Sequence, residues 1–295
     1  LESNTFTYLK KKAELQNPKE MKTIIATTDF SKGAENSLNH AKKLAKLFDS
    51  KLIIVHAYSP PILDPNIPIG IIEDTFKDTL DSLEQILKNE VREAKQQGLK
   101  ATYKLSFSDL PSTINNLTET EQDALVVIGK TGHKTFLDKL IGSTANHLID
   151  NIHAPLIIIP ESYQGDMMTK LAYASQLEYD EEKYIQKAVS MATKSYLGFS
   201  IIHIKEKYEL DINPNKQFIK NIKARFHKEN IPIIQIESER LIDGLNDTIK
   251  KEGISLIFLT THKRSFLSGL INPSKTKQII SKSNIPVAIY SFVEK

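Results

Sequence analysis

The sequence predicts an α/β protein made of two tandem open parallel five-stranded sheets with helices on both faces. Three observations carry that prediction. Short apolar runs alternate with amphipathic stretches from Met21 onward, the second half of the chain repeats the first, and glycines stand where one apolar run hands over to a helix. Strand, helix and strand within about forty residues form a βαβ unit, which requires parallel pairing and a right-handed crossover. Such units wind into a sheet covered on both faces, with ligands bound beyond the carboxyl ends of its strands.

The elements follow in order. Residues 21–28 read as a buried strand, with Asp29-Phe30-Ser31 as the turn after it. Ala34, Leu38, Ala41, Leu44, Ala45 and Phe48 recur at helical spacing, and residues 51–57 form the second strand. Residues 58–70 carry four prolines and read as a stiff connector, with a lid as the alternative. Phe76, Leu80, Leu83, Ile86, Leu87 and Val91 mark a long helix over 71–97 that stops near Gly98. A strand at 101–107, a helix after Pro111, a strand at 124–128, a helix from Thr144 and a strand at 154–159 complete the first half.

The second half repeats this layout. Placing Met168 on Met21 sets Ala188 on Ala41 and His203 on His56, a constant shift of 147; later the shift falls to 131, with Ile285-Pro286-Val287 on Ala154-Pro155-Leu156. The proline-rich connector is mostly missing from the second copy. The expected organisation is an N-terminal extension at 1–20, a first domain at 21–162 and a second at 163–295.

Chemistry concentrates in Gly129-Lys130-Thr131-Gly132, nine further residues, then Gly142-Ser143. A strand-to-helix junction is an anion site by position. Backbone approaches an anion closely where no Cβ intervenes, and a helix start supplies unpaired N–H groups and partial positive charge. Singly, each glycine also fits a plain strand end or turn; three at fixed intervals, among only 11 in 295 residues, favour a ligand. In the second copy Gly129, Gly132 and Gly142 become Thr260, Lys263 and Pro273, Asp29 becomes Gln176, and only Ser274 stands opposite Ser143. That copy is expected to bind phosphate poorly or not at all.

Composition narrows the classes. A net charge of +3 gives no field for nucleic acid or anionic membrane, and Lys10-Lys11-Lys12 is too short to change that. The absence of cysteine excludes disulfides, thiolate zinc sites and cysteine nucleophiles, and fits a reducing compartment. No apolar run reaches a membrane span of about 20 residues, which leaves the cytoplasm as the default.

The glycine loop resembles the G-2x-G-9x-G-(S/T) motif of the universal stress protein family. Thr27-Thr28-Asp29-Phe30-Ser31 is similar to that family's acidic turn after the first strand, and Ala154-Pro155-Leu156 with the isoleucines to Ile159 is similar to its last strand. The resemblance implies a Rossmann-like fold of the adenine nucleotide alpha-hydrolase type. In the ATP-binding branch it implies phosphates on Gly129, Gly132, Gly142 and Ser143, with Thr144 and Ala145 continuing the helix start. It places Asp29 near the ribose or a metal such as Mg or Mn held through the nucleotide, and the backbone of Thr27 and Ala57 beside the adenine. Ile128, ahead of the loop, and His133, within it, complete the set. Dimerisation through the last strand is common in the family; here residues 156–159 would pair with 287–290 as an intramolecular pseudo-dimer, and a further homodimer stays open.

Other readings fit less well. Residues 124–131 match a relaxed P-loop pattern, but its four middle residues are a buried strand, whose N–H groups cannot converge on a phosphate. The eight histidines show no compact ligand spacing, and no GxSxG elbow is present. Two function classes remain: an adenine-nucleotide-binding stress or signalling protein acting through an unidentified protein partner, or a slow ATPase or phosphotransferase with a divalent cation near Asp29. A nucleotide-free interaction module is the third.

Overall fold

The computed structural model describes residues 21–60, 69–121, 123–130, 143–177, 181–207, 213–227, 230–262 and 274–292. They form two compact units, one holding the described residues up to 130 with 143–156, the other those from 157 onward. No described helix is long and apolar enough to cross a membrane.

The first unit runs β1 (Thr23–Thr27), α1 (Lys32–Phe48), β2 (Lys51–Ala57), α2 (Ile69–Gln96), β3 (Lys100–Ser106), α3 (Leu110–Thr120), β4 (Ala124–Lys130) and α4 (Ser143–Asn151). Its strands lie in the order β3-β2-β1-β4, paired in parallel throughout. All five residues of β1 are buried, which is why that run lacks polar alternation. α1 starts where the Ser31 side chain accepts the Ala34 N–H at 3.2 Å. It ends at Asp49, which takes the left-handed conformation and donates its N–H to Ala45 O. Its stripe of Ala34, Leu38, Ala41, Leu44 and Ala45 is buried.

The second unit holds β5 (Leu156–Pro160, from Ile157), β6 (Lys170–Ala174), α5 (Glu182–Lys194), β7 (Gly198–Glu206), α6 (Asn213–Arg225) and β8 (Ile233–Ser238). It continues with α7 (Leu241–Glu252), β9 (Leu256–His262), α8 (Ser274–Lys282) and β10 (Val287–Phe292). The order is β5-β10-β9-β6-β7-β8, so β5 neighbours β10. The pairs from β10 to β8 are parallel.

The repeat in the sequence is a repeat in register. Thr23 pairs with Lys51 and Lys170 with Gly198, both partners displaced by 147. Thr28 N–H donates to Val55 O, and Ser175 N–H to Ile202 O, each at 2.9 Å. His56 and His203 repeat a contact too: each Nδ1–H donates to a carbonyl, Thr28 O at 2.8 Å and Ser175 O at 3.0 Å. These two histidines tie strand ends together. The shift at β8 is 130, since Tyr103 and Ile233 oppose Ile54 and Ile201. It becomes 131 only from α7, so one residue is gained between the eighth strand and its helix.

Two expectations are corrected. α2 begins at Ile69, inside the expected 58–70 connector, because Ile69 and Gly70 join the helix. β4 extends through Lys130, so Gly129 belongs to the strand and not to the loop after it.

Candidate functional site

At the carboxyl ends of β1, β2 and β4 the first unit encloses a cavity of about 340 Å³. Seven of the residues expected from sequence line it: Thr27, Asp29, Ala57, Ile128, Gly129, Thr144 and Ala145. Ser143 opens α4 beside them. Gly132, His133 and Gly142 lie outside the described residues.

Topology explains the convergence. The order β3-β2-β1-β4 brings the ends of β1 and β4 together although about a hundred residues separate them, and the first turn of α4 lines the same cavity through Thr144 and Ala145. The turn after β1 is built from its own side chains. Phe30 N–H donates to Thr28 Oγ1 and Ser31 N–H to Asp29 Oδ1, each at 3.0 Å, while Phe30 adopts φ 62°. Asp29 thereby keeps an exposed carboxylate at the rim.

Gly129 also has a role in packing that the sequence did not reveal. A Cβ built on it would stand 2.5 Å from Gly33 O and 3.2 Å from Ala34 N. The missing side chain lets the first turn of α1 sit against β4, so helix packing requires this glycine. It lines the cavity as well.

Sequence reasoning missed Thr28, Ala34, His56, Ser59, Asp109 and His147, which also line the cavity. Asp109 had a readable signal. It precedes Leu110-Pro111, and its carboxylate caps α3 by accepting the Ser112 N–H at 3.0 Å and hydroxyl at 2.7 Å. Those hydrogen bonds, with a smaller contribution from His147, hold its carboxyl below the usual carboxylate range. His147 stands one turn beyond Thr144, on the same side of α4. Among the described residues no group of three or more His, Cys, Asp or Glu is placed to hold a metal, so a cation beside Asp29 would need further ligands.

The sequence profile of the universal stress protein family matches residues 20–160 and again 165–291. The chain belongs to the universal stress protein family. Universal stress protein Slr1230 of Synechocystis sp. is 23% identical over 299 residues, spanning 92% of this chain and all of the relative. A universal stress protein of Archaeoglobus fulgidus has the same fold, with a TM-score of 0.72, 16% identity, and coverage of 91% of this chain and 98% of that one. The cytoplasmic domain of a prokaryotic cation chloride cotransporter shares the fold at a TM-score of 0.53 and 7% identity, covering 91% and 94%. The architecture therefore leaves function to the site.

The second universal stress protein domain puts its own polar side chains at the same place. Glu181, only 1% exposed, occupies the position of Ala34. Its carboxylate accepts the Ser175 hydroxyl at 2.7 Å, the Gln176 N–H at 3.0 Å and the Thr260 hydroxyl at 3.3 Å. Tyr173 OH in turn donates to Thr260 Oγ1 at 3.2 Å, and burial beside Glu181 pushes its phenol well above the usual value. Thr260 stands where the first copy has Gly129, and Lys275 and Glu206 stand where it has Thr144 and Ser59. Those two form an ion pair at 2.8 Å.

The hydrogen bond from Lys275 holds the Glu206 carboxyl below its ordinary 4.5. Because the folded value lies below the unfolded one, this contribution is complete above 4.5 and disappears as pH falls through the folded value. Lys275→Met should therefore reduce the acid-side slope of stability, measured as urea midpoint between about pH 5 and pH 3, with little change in slope above pH 6.

Proposed function

We propose that the first domain binds ATP or a related adenine nucleotide, and that occupancy shifts a conformational or partner equilibrium in a stress or signalling response. The observation that supports this most is the convergence of Thr27, Asp29, Ala57, Gly129, Thr144 and Ala145 on one cavity at a strand-to-helix junction. The start of α4 offers N–H groups and partial positive charge to phosphates. The ends of β1 and β2 offer backbone to the base, and Asp29 an acceptor for ribose hydroxyls or a site for a nucleotide-held Mg or Mn. A nucleotide that favours one of two conformations changes their populations by its differential affinity.

The second domain supplies the test. Ala34→Glu places in the first cavity the carboxylate that the second copy holds at the equivalent position. The fold should survive, since the second copy accommodates Glu181 at the same helix start. A carboxylate facing the phosphates should weaken ATP binding on the order of 100-fold, measured by isothermal titration calorimetry. Unchanged affinity would place the nucleotide elsewhere.

A further inference from the structure

Along the carboxyl edge of the first sheet the strand ends stand in the order β3, β2, β1, β4, and the cavity takes lining residues from β1, β2 and β4 and from Asp109 to Pro111, which follow β3 in the chain. Three inter-strand steps of about 4.8 Å make that row roughly 14 Å long. A mononucleotide with phosphates at Gly129 and Thr144 and its base at Ala57 reaches from β4 to β2. Ser59 and Asp109 with Leu110 extend the lining to the segments that follow β2 and β3.

Three aromatic rings gather at that far end. Tyr58, Phe76 and Phe107 have centroids 6.1, 6.3 and 6.4 Å apart, and Phe107 is 56% and Phe76 36% exposed. Tyr58 sits between the cavity residues Ala57 and Ser59, and its N–H donates to Ser106 O at 2.8 Å, which fixes the cluster to the ends of β2 and β3. Phe107 precedes Asp109 by two residues. In the second domain the strand register sets Lys205 and Glu237 at the places of Tyr58 and Phe107, and they form an ion pair at 3.8 Å. The copy that carries Glu181 lacks this aromatic pair.

We propose that the Tyr58, Phe76 and Phe107 cluster is a stacking platform for a second base, making an adenine dinucleotide the ligand class of the first domain. This deepens the nucleotide reading and rests on it. Exposed aromatic faces stack nucleobases whatever their identity, and two charged side chains at the same positions do not. Asp109, between the platform and the cavity in sequence, offers an ionised acceptor for ribose hydroxyls or an exocyclic amine.

Calorimetric titration of the full chain with ATP and with diadenosine tetraphosphate tests the platform. The dinucleotide should bind about 10-fold or more tightly than ATP, and Phe107→Ala should erase that preference while leaving ATP affinity within about twofold. ATP binding with no dinucleotide preference, or a preference that survives Phe107→Ala, would overturn the platform alone. Failure of both ligands to bind would overturn the nucleotide reading with it.

Discussion

Gly129→Ala is expected to destabilise the first domain by about 3 kcal/mol, lowering its thermal midpoint by roughly 10 °C. The added Cβ meets the backbone of Gly33 at 2.5 Å, and backbone cannot swing aside as the end of a long side chain can. Relief requires the first turn of α1 to lift from β4, which disturbs the Ser31 cap and the burial of Ala34 and Leu38. Ligand affinity should fall too, because Ala34 and the turn around Asp29 would move with the helix. A glycine kept only for close approach of an anion would behave differently: its alanine variant would retain stability and lose ligand. Denaturant unfolding in the absence of nucleotide separates the two, and an unchanged midpoint would show that the packing role has been misassigned.

Glu181→Ala is expected to cost the second domain about 2 to 4 kcal/mol, read as a lower urea midpoint with little change in m-value. The substitution restores the residue type of the first copy yet leaves the Ser175 and Thr260 hydroxyls and the Gln176 N–H without their shared acceptor. Buried donors without partners are costly, and Tyr173 and Thr260 continue the same network. Glu181→Gln is milder, since its amide oxygen still accepts while the charge is lost. Equal stability of all three proteins would show the carboxylate to be dispensable.

Much of the architecture was legible because burial in a parallel sheet leaves a plain mark. Runs such as Leu52-Ile53-Ile54-Val55 and Leu125-Val126-Val127-Ile128 have no polar alternation, and the amphipathic stripe from Ala34 to Ala45 fixes the helix between strands. The repeat was legible for the same reason: equivalent strands need equivalent burial, and His56 and His203 end equivalent strands. The site was only partly legible. Thr27, Asp29 and Ala57 end or directly follow recognisable strands, whereas His147 reaches the cavity through strand order, which no local pattern encodes.

The packing role of Gly129 was not legible because its partner Gly33 lies far away in the sequence, and a glycine has the same signature whether a ligand or a helix fills the space. The second domain's departure from the first was visible as lost glycines. The hydrogen-bonded carboxylate at the position of Ala34 needed the helix start to be placed in space.

The central claim is that nucleotide occupies the first cavity and is kept out of the second by Glu181 and its partners. Native mass spectrometry of the full chain, titrated with ATP, measures this directly as the number of nucleotides per chain. One ATP per wild-type chain and none on the Ala34→Glu chain is the predicted result; two per wild-type chain, or one retained by Ala34→Glu, would contradict it.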